Sequence, residues 1–212
     1  FTGDRAYLVT FKKVDPLFVI DLSEPMEPRI LGQLKITGYS DYLHPYDESH
    51  VIGIGKEAVA AEDGDFAWYQ GVKISLFDVS DVANPREVGK YEIGDRGTDS
   101  EILRDHKALL FDRERALLAI PVLVARIDAE KYGGEVPPYA YGDYVWQGLY
   151  VFRVTGEELT LTGRVSHISD QDGPFAEGNY ELPYNRFVER ALYIQDVLYT
   201  ISDAAIRMSD LT

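Results

Sequence analysis

The sequence predicts an all-β fold, a β-propeller of four-stranded antiparallel blades, and three observations lead to that prediction. Part of the chain repeats itself, short apolar runs alternate with turn-forming residues, and no stretch shows the sustained periodicity of a helix. The chain of 212 residues is long enough to bury a substantial core. We therefore expect residues 1–212 to form a single propeller domain or the C-terminal portion of one.

The clearest repeat joins two segments that match without a gap. Leu17–Ser23 reads LFVIDLS and Ile74–Ser80 reads ISLFDVS, and each is followed by Pro-Arg and a glycine at equal distances. Asp21 corresponds to Asp78, so the offset is 78 − 21 = 57 residues. Because residue type and spacing agree, the two segments are predicted to occupy the same place in successive structural units.

Each unit is predicted to hold four strands, A to D. Strand C is the repeated segment, with weaker copies at Leu149–Thr155 and Ile206–Asp210, and strand D follows the proline. Residues such as Ser23-Glu24-Pro25 separate the strands, as turn formers do. The A strands are predicted around Leu43–Tyr46, Lys107–Phe111 and Arg190–Ile194, and the B strands around Ala6–Phe11, His50–Gly55, Leu117–Val122 and Val197–Ile201.

Several strands are apolar on both faces, for example Leu17–Ile20 and Leu117–Val122. Sheets stacked around an axis cover both faces, which favours a propeller over the alternative of an open β-sandwich. The four units run over about 1–36, 37–93, 94–168 and 169–212. The first unit lacks strand A and the last lacks strand D. This strand count predicts that the chain is part of a larger propeller, and a closed four-blade ring is the alternative. The chain also begins without methionine, as expected for a mature product or a fragment.

The chain is acidic, with 21 Lys and Arg against 36 Asp and Glu and a formal net charge of −15. Such a surface repels phosphate groups, so neither nucleic acid nor an anionic membrane surface is an expected partner. No apolar run approaches the roughly 20 residues that span a bilayer, so no membrane insertion is expected in this segment. The absence of cysteine excludes disulfides and thiolate chemistry.

Several segments resemble those of one protein family. They are Gly38–Asp47, Gly97–Ser100 with Asp105–Ala108, Tyr184–Phe187 and the run Leu192–Ser202. In these segments the chain is similar to secreted archaeal and bacterial proteins that contain a C-terminal β-propeller domain. The resemblance implies a propeller fold and an extracellular or cell-surface location. It implies no reaction and no catalytic residues.

Two insertions, at 56–71 and 123–148, separate strands B and C in the second and third units. The candidate binding residues in them are Trp68, Tyr69, Tyr141, Tyr144 and Trp146. Because tyrosine and tryptophan are enriched at recognition surfaces, we expect a non-catalytic binding or scaffold module. Its partner would be a protein or a glycan, bound at the face that carries the insertions. The competing interpretation is that these aromatic side chains cover the blades as local core.

Acidic residues near the same face are weak candidates for a calcium site. They are Asp95, Asp99, Asp170 and Asp172. Calcium takes six to eight oxygen ligands, yet no segment has the spaced Asp-x-Asp-x-Asp-Gly pattern. No cofactor is therefore expected, and calcium is the alternative. One alternative function is accordingly a structural module that a bound ion stabilises. The other interpretation is turn chemistry and solvated charge.

A hydrolase-type site at the mouth of the central channel is the second alternative. Its weak candidate residues are Asp99, Asp105 and His106. A histidine beside a carboxylate can act as an oriented base, but a nucleophile such as Ser100 must lie within reach. The sequence has no Gly-x-Ser-x-Gly motif, so a binding protein is expected in preference to an enzyme. In the structural interpretation, Arg186 or Arg190 neutralises Asp105.

Overall fold

A computed structural model describes most of the chain as two compact units. The described residues are 1–10, 15–61, 66–168, 175 and 182–211. Unit 1 comprises residues 1–93, 137–139 and 156–159, and unit 2 comprises residues 94–136, 140–155 and 160–212. The regular structure of the described residues consists of β-strands and short 3-10 helices, so the predicted all-β class is confirmed.

The strands of the described residues form four sheets of three or four strands each. The strands are β1 Arg5–Val9, β2 Asp15–Asp21, β3 Arg29–Ile36, β4 Tyr39–Pro45, β5 His50–Ala60, β6 Ala67–Asp78, β7 Arg86–Ile93, β8 Leu110–Asp112, β9 Leu117–Arg126, β10 Asp143–Val154, β11 Leu159–Val165, β12 Arg190–Ile194, β13 Val197–Ile201 and β14 Ile206–Asp210. Their order is β1-β2-β3 in sheet 1, β4-β5-β6-β7 in sheet 2, β11-β10-β9-β8 in sheet 3 and β12-β13-β14 in sheet 4. Each sheet is therefore a meander of sequence neighbours.

The core of unit 1 lies between sheets 1 and 2. Leu17 and Val19 of β2 pack against Val51 of β5 and Phe77 of β6, and all four side chains are buried. The sequence predicts that Leu17–Ile20 is buried on both faces, but Phe18 and Ile20 are only half-buried. The strand alternates instead, as expected where the core covers one face of a sheet.

In unit 2 the core lies between sheets 3 and 4. Leu117 and Ala119 of β9, with Leu149 of β10, pack against Leu198 of β13 and against Val188. All residues of Leu117–Val122 are buried, as the sequence predicts. Fully burying a leucine or valine side chain contributes about 1.5–3 kcal/mol, so these contacts stabilise the unit.

The repeated Asp-x-Ser motif has a local structural role. Asp21 Oδ1 and Asp78 Oδ1 accept hydrogen bonds from the backbone N–H of Ser23 and Ser80, each at 2.9 Å. A side chain that bonds the backbone two residues ahead mimics a backbone turn. The aspartate of the repeat therefore closes the turn that follows strand C.

The insertion at 56–71 differs from the predicted connection between strands. β5 continues to Ala60 and β6 begins at Ala67, and the pairing extends to Ala60 opposite Ala67. Most of this insertion is therefore a lengthened hairpin, because backbone groups that pair across the hairpin satisfy one another. The second insertion also adds strand at both ends, since β9 reaches Arg126 and β10 begins at Asp143.

The A strand predicted for the third repeat, Lys107–Phe111, is largely absent. Two 3-10 helices, Glu101–Leu103 and His106–Ala108, occupy this region, and β8 is only Leu110–Asp112. Asp105 accepts a hydrogen bond from the backbone N–H of Lys107 and so caps the second of these helices. This local bond competes with strand formation.

Candidate functional site

Three exposed tyrosines lie together on unit 2. Tyr141 and Tyr184 are 66% and 65% exposed, and Tyr144 is 41% exposed. Partial burial raises the pKa of Tyr144, and the charges of Asp99, Tyr184 and Tyr141 raise it further. We call Tyr141, Tyr144 and Tyr184 the tyrosine surface. Two of its members, Tyr141 and Tyr144, are among the candidate binding residues.

A cleft of about 250 Å³ opens beside the tyrosine surface. Its charged and aromatic lining residues are Asp99, Glu101, Arg104, Tyr184, Phe187 and Glu189. The charges comprise three carboxylates and one guanidinium, so the lining has a negative balance. This volume is below the usual range for pockets that enclose a whole ligand, so the cleft suits one small polar group or one end of a longer ligand.

Ion pairs hold the charged side chains of the cleft in place. Arg104 Nη1 donates to Asp99 Oδ2 at 2.7 Å, and Arg104 Nη2 contacts Glu101 Oε2 at 3.4 Å. The backbone of Asp99 is itself fixed, because it exchanges two hydrogen bonds with Leu123 of β9. The carboxylates of Asp99 and Glu101 are therefore held by one guanidinium.

Gln147 links β10 of sheet 3 to the segment that precedes β12 of sheet 4. Its Nε2 donates to the carbonyl oxygen of Val188, and its Oε1 accepts from the Val188 N–H, both at 2.9 Å. The side chain is buried, so these bonds are shielded from water. Gln147 thereby positions Phe187 and Glu189, which flank Val188 and line the cleft.

Tyr141 is oriented by Arg96. The guanidinium carbon lies 4.3 Å from the centre of the Tyr141 ring, and Arg96 Nη2 donates to the Tyr141 hydroxyl at 3.1 Å. A cation above an aromatic ring is attracted by the electron density of the ring face. One face of Tyr141 is thus occupied within the protein.

Trp146 is packed within unit 2. Its ring meets Tyr150 edge to face at 5.2 Å, and the guanidinium of Arg164 lies 5.3 Å from the ring centre. Its half-buried state fits the local-core interpretation better than the prediction of an exposed binding residue. Trp146 and Tyr150 therefore pack against each other on one face of β10.

Trp68 and Tyr69 belong to an aromatic group in unit 1. Trp68 is half-buried and lies 5.0 Å from Phe66 and 5.9 Å from Tyr139 between ring centres. Tyr69 contacts Tyr39 at 4.7 Å and remains exposed. Gln70 Nε2 donates to the carbonyl oxygens of Trp68 and Pro138. The tryptophan is mainly a packing residue, whereas Tyr69 is available to solvent.

The three candidate catalytic residues are not gathered in the cleft. Asp99 lines it, but Asp105 and His106 are not among its lining residues. Asp105 is held by Arg190 Nη2 at 2.6 Å, which is one of the two pairs that the structural interpretation predicts. Ser100 is buried, and its hydroxyl donates to the carbonyl oxygen of Pro121. The proposed nucleophile is therefore engaged in a structural hydrogen bond.

The candidate calcium ligands that can be located have protein partners. Asp95 Oδ2 accepts from the Ile127 N–H at 2.8 Å, and Asp95 Oδ1 lies 3.5 Å from Arg126 Nη1. Asp99 is paired with Arg104. Asp170 and Asp172 lie outside the described residues. Among the residues that the structure does describe, no group of three or more acidic or histidine side chains is arranged to hold a metal ion.

Sequence reasoning missed four residues of the cleft: Glu101, Arg104, Tyr184 and Glu189. They come from two segments about 85 residues apart, so no local spacing marks them as one site. In the sequence, Tyr184 stands out only as part of the segment Tyr184–Phe187, which resembles a family. The contact between these segments depends on the packing of sheet 4 against sheet 3 within unit 2.

Comparisons with known proteins give one family match and two archaeal relatives. The sequence profile of a family described as "Beta propeller domain" matches residues 1–212. An uncharacterized protein of Methanocaldococcus jannaschii is 34% identical over 210 residues, which are 99% of this chain and 25% of that protein. An uncharacterized protein of Archaeoglobus fulgidus is 42% identical over 121 residues, 57% of this chain and 17% of that protein. The chain thus spans a quarter or less of each relative.

No helix in the described ranges has the length and apolar character needed to cross a bilayer.

Proposed function

The chain belongs to the β-propeller domain family, and from this premise we propose that it is a non-catalytic domain that binds a glycan outside the cell. The proposed contact surface is the tyrosine surface together with the adjoining cleft. The observation that carries the proposal is the grouping of three exposed tyrosines beside a cleft with prearranged charged side chains. The extracellular location rests on the family resemblance of the sequence.

The chemistry of the surface suits a sugar. A sugar ring has an apolar C–H face that packs on an aromatic ring, and hydroxyl groups around its edge that bond to charged acceptors and donors. Tyrosine supplies the first kind of contact together with a polar hydroxyl. The Asp99–Arg104–Glu101 group supplies the second, and hydrogen bonds that involve charged groups are the stronger ones.

The charge balance narrows the class of glycan. Asp99, Glu101 and Glu189 outnumber Arg104 in the cleft, and the whole chain carries a net charge of −15. Like charges repel, so sugars with carboxylate or sulfate groups are disfavoured. We therefore propose neutral or amino sugars as the ligand class, with a protein partner at the same surface as the alternative.

An immobilised panel of neutral, amino, uronic and sulfated oligosaccharides tests the proposal directly. We expect selective binding to neutral or amino sugars, and the double variant Tyr144→Ala with Tyr184→Ala should weaken it about tenfold or more. Its melting temperature should change little, because Tyr184 is 65% exposed and Tyr144 is 41% exposed. Tyr132→Ala is the matched control, since Tyr132 is exposed in unit 2 but belongs neither to the tyrosine surface nor to the lining of the cleft.

Two results would overturn the proposal. One is the absence of binding to every sugar of the panel, which would direct the search to protein partners. The other is sugar binding that survives the double tyrosine variant, which would place the site elsewhere.

A further inference from the structure

His167 links the end of sheet 3 to sheet 4 within unit 2. The residue follows β11 closely, and its side chain is half-buried. Nδ1 of its ring lies 2.9 Å from the hydroxyl of Ser202, and Nε2 lies 2.8 Å from the hydroxyl of Thr200 in β13. Both ring nitrogens are therefore within hydrogen-bond distance of partners in or directly after β13.

The two hydroxyl groups that contact the ring are themselves bonded to the turn and the strand that follow β13. Thr200 and Ser202 are both buried. Ser202 Oγ accepts a hydrogen bond from the Ala205 N–H at 3.2 Å, and Thr200 Oγ1 lies 3.3 Å from the carbonyl oxygen of Arg207. The ring of His167 is thus held against a hydrogen-bonded part of sheet 4.

The charge beside this contact is positive. From β14, Arg207 Nη1 donates to the carbonyl oxygen of Ser166 at 2.8 Å, which brings a guanidinium to the residue before His167. From β11, Arg164 lies over two aromatic rings of β10. Asp203, in the turn between β13 and β14, is exposed. Within the described ranges, the charge that acts on the His167 ring is that of Arg207.

We propose that His167 is an acid-sensitive joint between sheets 3 and 4, which stabilises their contact when its ring is neutral and weakens it when the ring is protonated. A protonated ring can still donate to both hydroxyls, so hydrogen bonding alone does not distinguish the two states. The charge distinguishes them, because a charged ring at this half-buried place is partly removed from water and repelled by Arg207. The inference is independent of the glycan proposal.

The direction of the pH effect follows from the surroundings of the ring. Burial lowers the pKa of His167 from its ordinary value of 6.5, and the charge of Arg207 lowers it further, whereas a hydrogen bond with the backbone of Thr200 acts in the opposite direction. The unfolded chain therefore takes up the proton at a higher pH than the folded chain. The stability that the neutral ring contributes is complete above 6.5 and is lost as the pH falls from 6.5 through the folded pKa.

A titration of the histidine ring protons, followed by nuclear magnetic resonance, tests the first step. The chain has four histidines, and the signals of His167 are those that disappear in His167→Gln. We expect the titration midpoint of His167 to lie below 6.5, because burial and Arg207 disfavour the charged ring. A midpoint at or above 6.5 would overturn the proposal.

Arg207→Gln tests the cause of the shift without altering the ring. Arg207 is exposed, so the variant should fold, and the loss of its charge should raise the titration midpoint of His167. Arg153→Gln is the matched control, because Arg153 is an exposed arginine of β10 at the opposite end of sheet 3, and it should leave the midpoint unchanged. Equal shifts in the two variants would mean that only the net charge of the chain acts on the ring, which contradicts the proposal.

Chemical denaturation at about pH 7.5 and at about pH 5.5 tests the effect on the fold. Acidification should raise the unfolding equilibrium constant of the wild type about twofold or more beyond its rise in His167→Gln. His106→Gln is the matched control, because His106 is an exposed histidine of the same unit, and it should behave as the wild type does.

Hydrogen exchange of the β13 amides gives a local measurement of the same effect. Acid should lower the protection of these amides, corrected for the intrinsic exchange rates, more in the wild type than in His167→Gln. An equal pH dependence of the wild type and His167→Gln in either measurement would overturn the proposal.

Discussion

Arg190 Nη2 donates a hydrogen bond to Asp105 Oδ2 at 2.6 Å, joining the first residue of β12 to the 3-10 segment that precedes β8. The hydrogen bond from the Lys107 N–H lowers the pKa of Asp105 most, and the positive charge of Arg190 lowers it further. The pair therefore connects sheets 3 and 4 within unit 2 through a charge-assisted bond.

The first prediction concerns this pair. Asp105→Asn and Arg190→Gln should each lower the stability of unit 2 slightly, because both side chains are about one-third exposed and solvent screens their attraction. The double variant should lose less than the sum of the two single losses, as measured by a double-mutant cycle in urea. Strictly additive losses would show that the two side chains do not interact.

The second prediction is a pH dependence at Asp78. The carboxylate of Asp78 accepts hydrogen bonds from the Ser80 hydroxyl, the Ser80 N–H and Arg86. Together these bonds lower the pKa of Asp78 to about 2, and the bond from the hydroxyl has the largest effect. A depressed carboxyl pKa stabilises the fold above the unfolded value of 3.8, and that contribution is lost as the pH falls through about 2. The difference in unfolding free energy between the wild type and Asp78→Asn should therefore shrink over this acidic range.

Asp21→Asn is the matched control for Asp78→Asn. Asp21 occupies the same place in the repeat and bonds Ser23, but the corresponding Arg29 pairs with Glu27 instead. Its substitution should have a smaller effect at neutral pH. An equal effect would show that the arginine bond of Asp78 adds nothing.

The third prediction concerns the buried Lys73 of β6, which is 1% exposed. Burial lowers the pKa of Lys73, and the carboxylate of Glu57, with its Oε2 at 3.6 Å from Lys73 Nζ, opposes that shift. Lys73 Nζ also donates to the carbonyl oxygen of Thr37. Glu57→Gln should cost about 3 kcal/mol, because it leaves a buried ammonium without its counter-charge.

Replacing both Lys73 and Glu57 by apolar residues tests whether an unpaired buried charge is what destabilises the single variant. Lys73→Met combined with Glu57→Leu should cost less than Glu57→Gln alone, since no unpaired charge remains buried. Chemical denaturation of the three variants measures the difference. A double variant that is less stable than Glu57→Gln would mean that the ion pair itself stabilises unit 1.

The fourth prediction concerns Gln147. Gln147→Leu removes both hydrogen bonds to Val188 and leaves two buried backbone groups unsatisfied, at a cost of about 1–3 kcal/mol each. Gln70→Leu is the control, because Gln70 also precedes a glycine at the corresponding position but is only partly buried. It should cost clearly less, as thermal melting can show. Equal losses would contradict the role assigned to burial.

The fifth prediction addresses calcium. Asp95 accepts a hydrogen bond from the Ile127 N–H, so Asp95→Ala should lower the melting temperature by the same amount in excess EDTA and in millimolar calcium. A ligand that binds only the folded state raises the melting temperature. A calcium-dependent rise in the wild type that disappears in Asp95→Ala would instead establish an ion site at this residue.

The repeat and the strands were predictable because they depend on local features. Asp21 and Asp78 bond residues only two positions away, so their spacing alone indicates the turn. The apolar runs of β9 and β13 are likewise visible as runs, because a strand needs only a few consecutive apolar residues. The family resemblance rested on other short segments, such as Gly38–Asp47 and Leu192–Ser202.

The candidate site was predictable only in part. Tyr141 and Tyr144 were recognised as aromatic residues in an insertion, but their grouping with Tyr184 and Arg104 was not. Trp68 and Trp146 are also aromatic residues of the insertions, yet their rings pack against neighbours within their own units. Composition cannot separate a packed aromatic ring from an exposed one, because the difference lies in the neighbours.

The sequence by itself determined the β-strand class, the repeat and the turns, since these depend on residues within a few positions of one another. Only the tertiary structure decided that Asp105 meets Arg190, that Ser100 bonds Pro121 and that the cleft forms beside Tyr184. It also decided that one face of sheet 4 is buried while the other is exposed. The physical reason is that these contacts join segments distant in the chain, and only the packing of whole sheets brings such segments together.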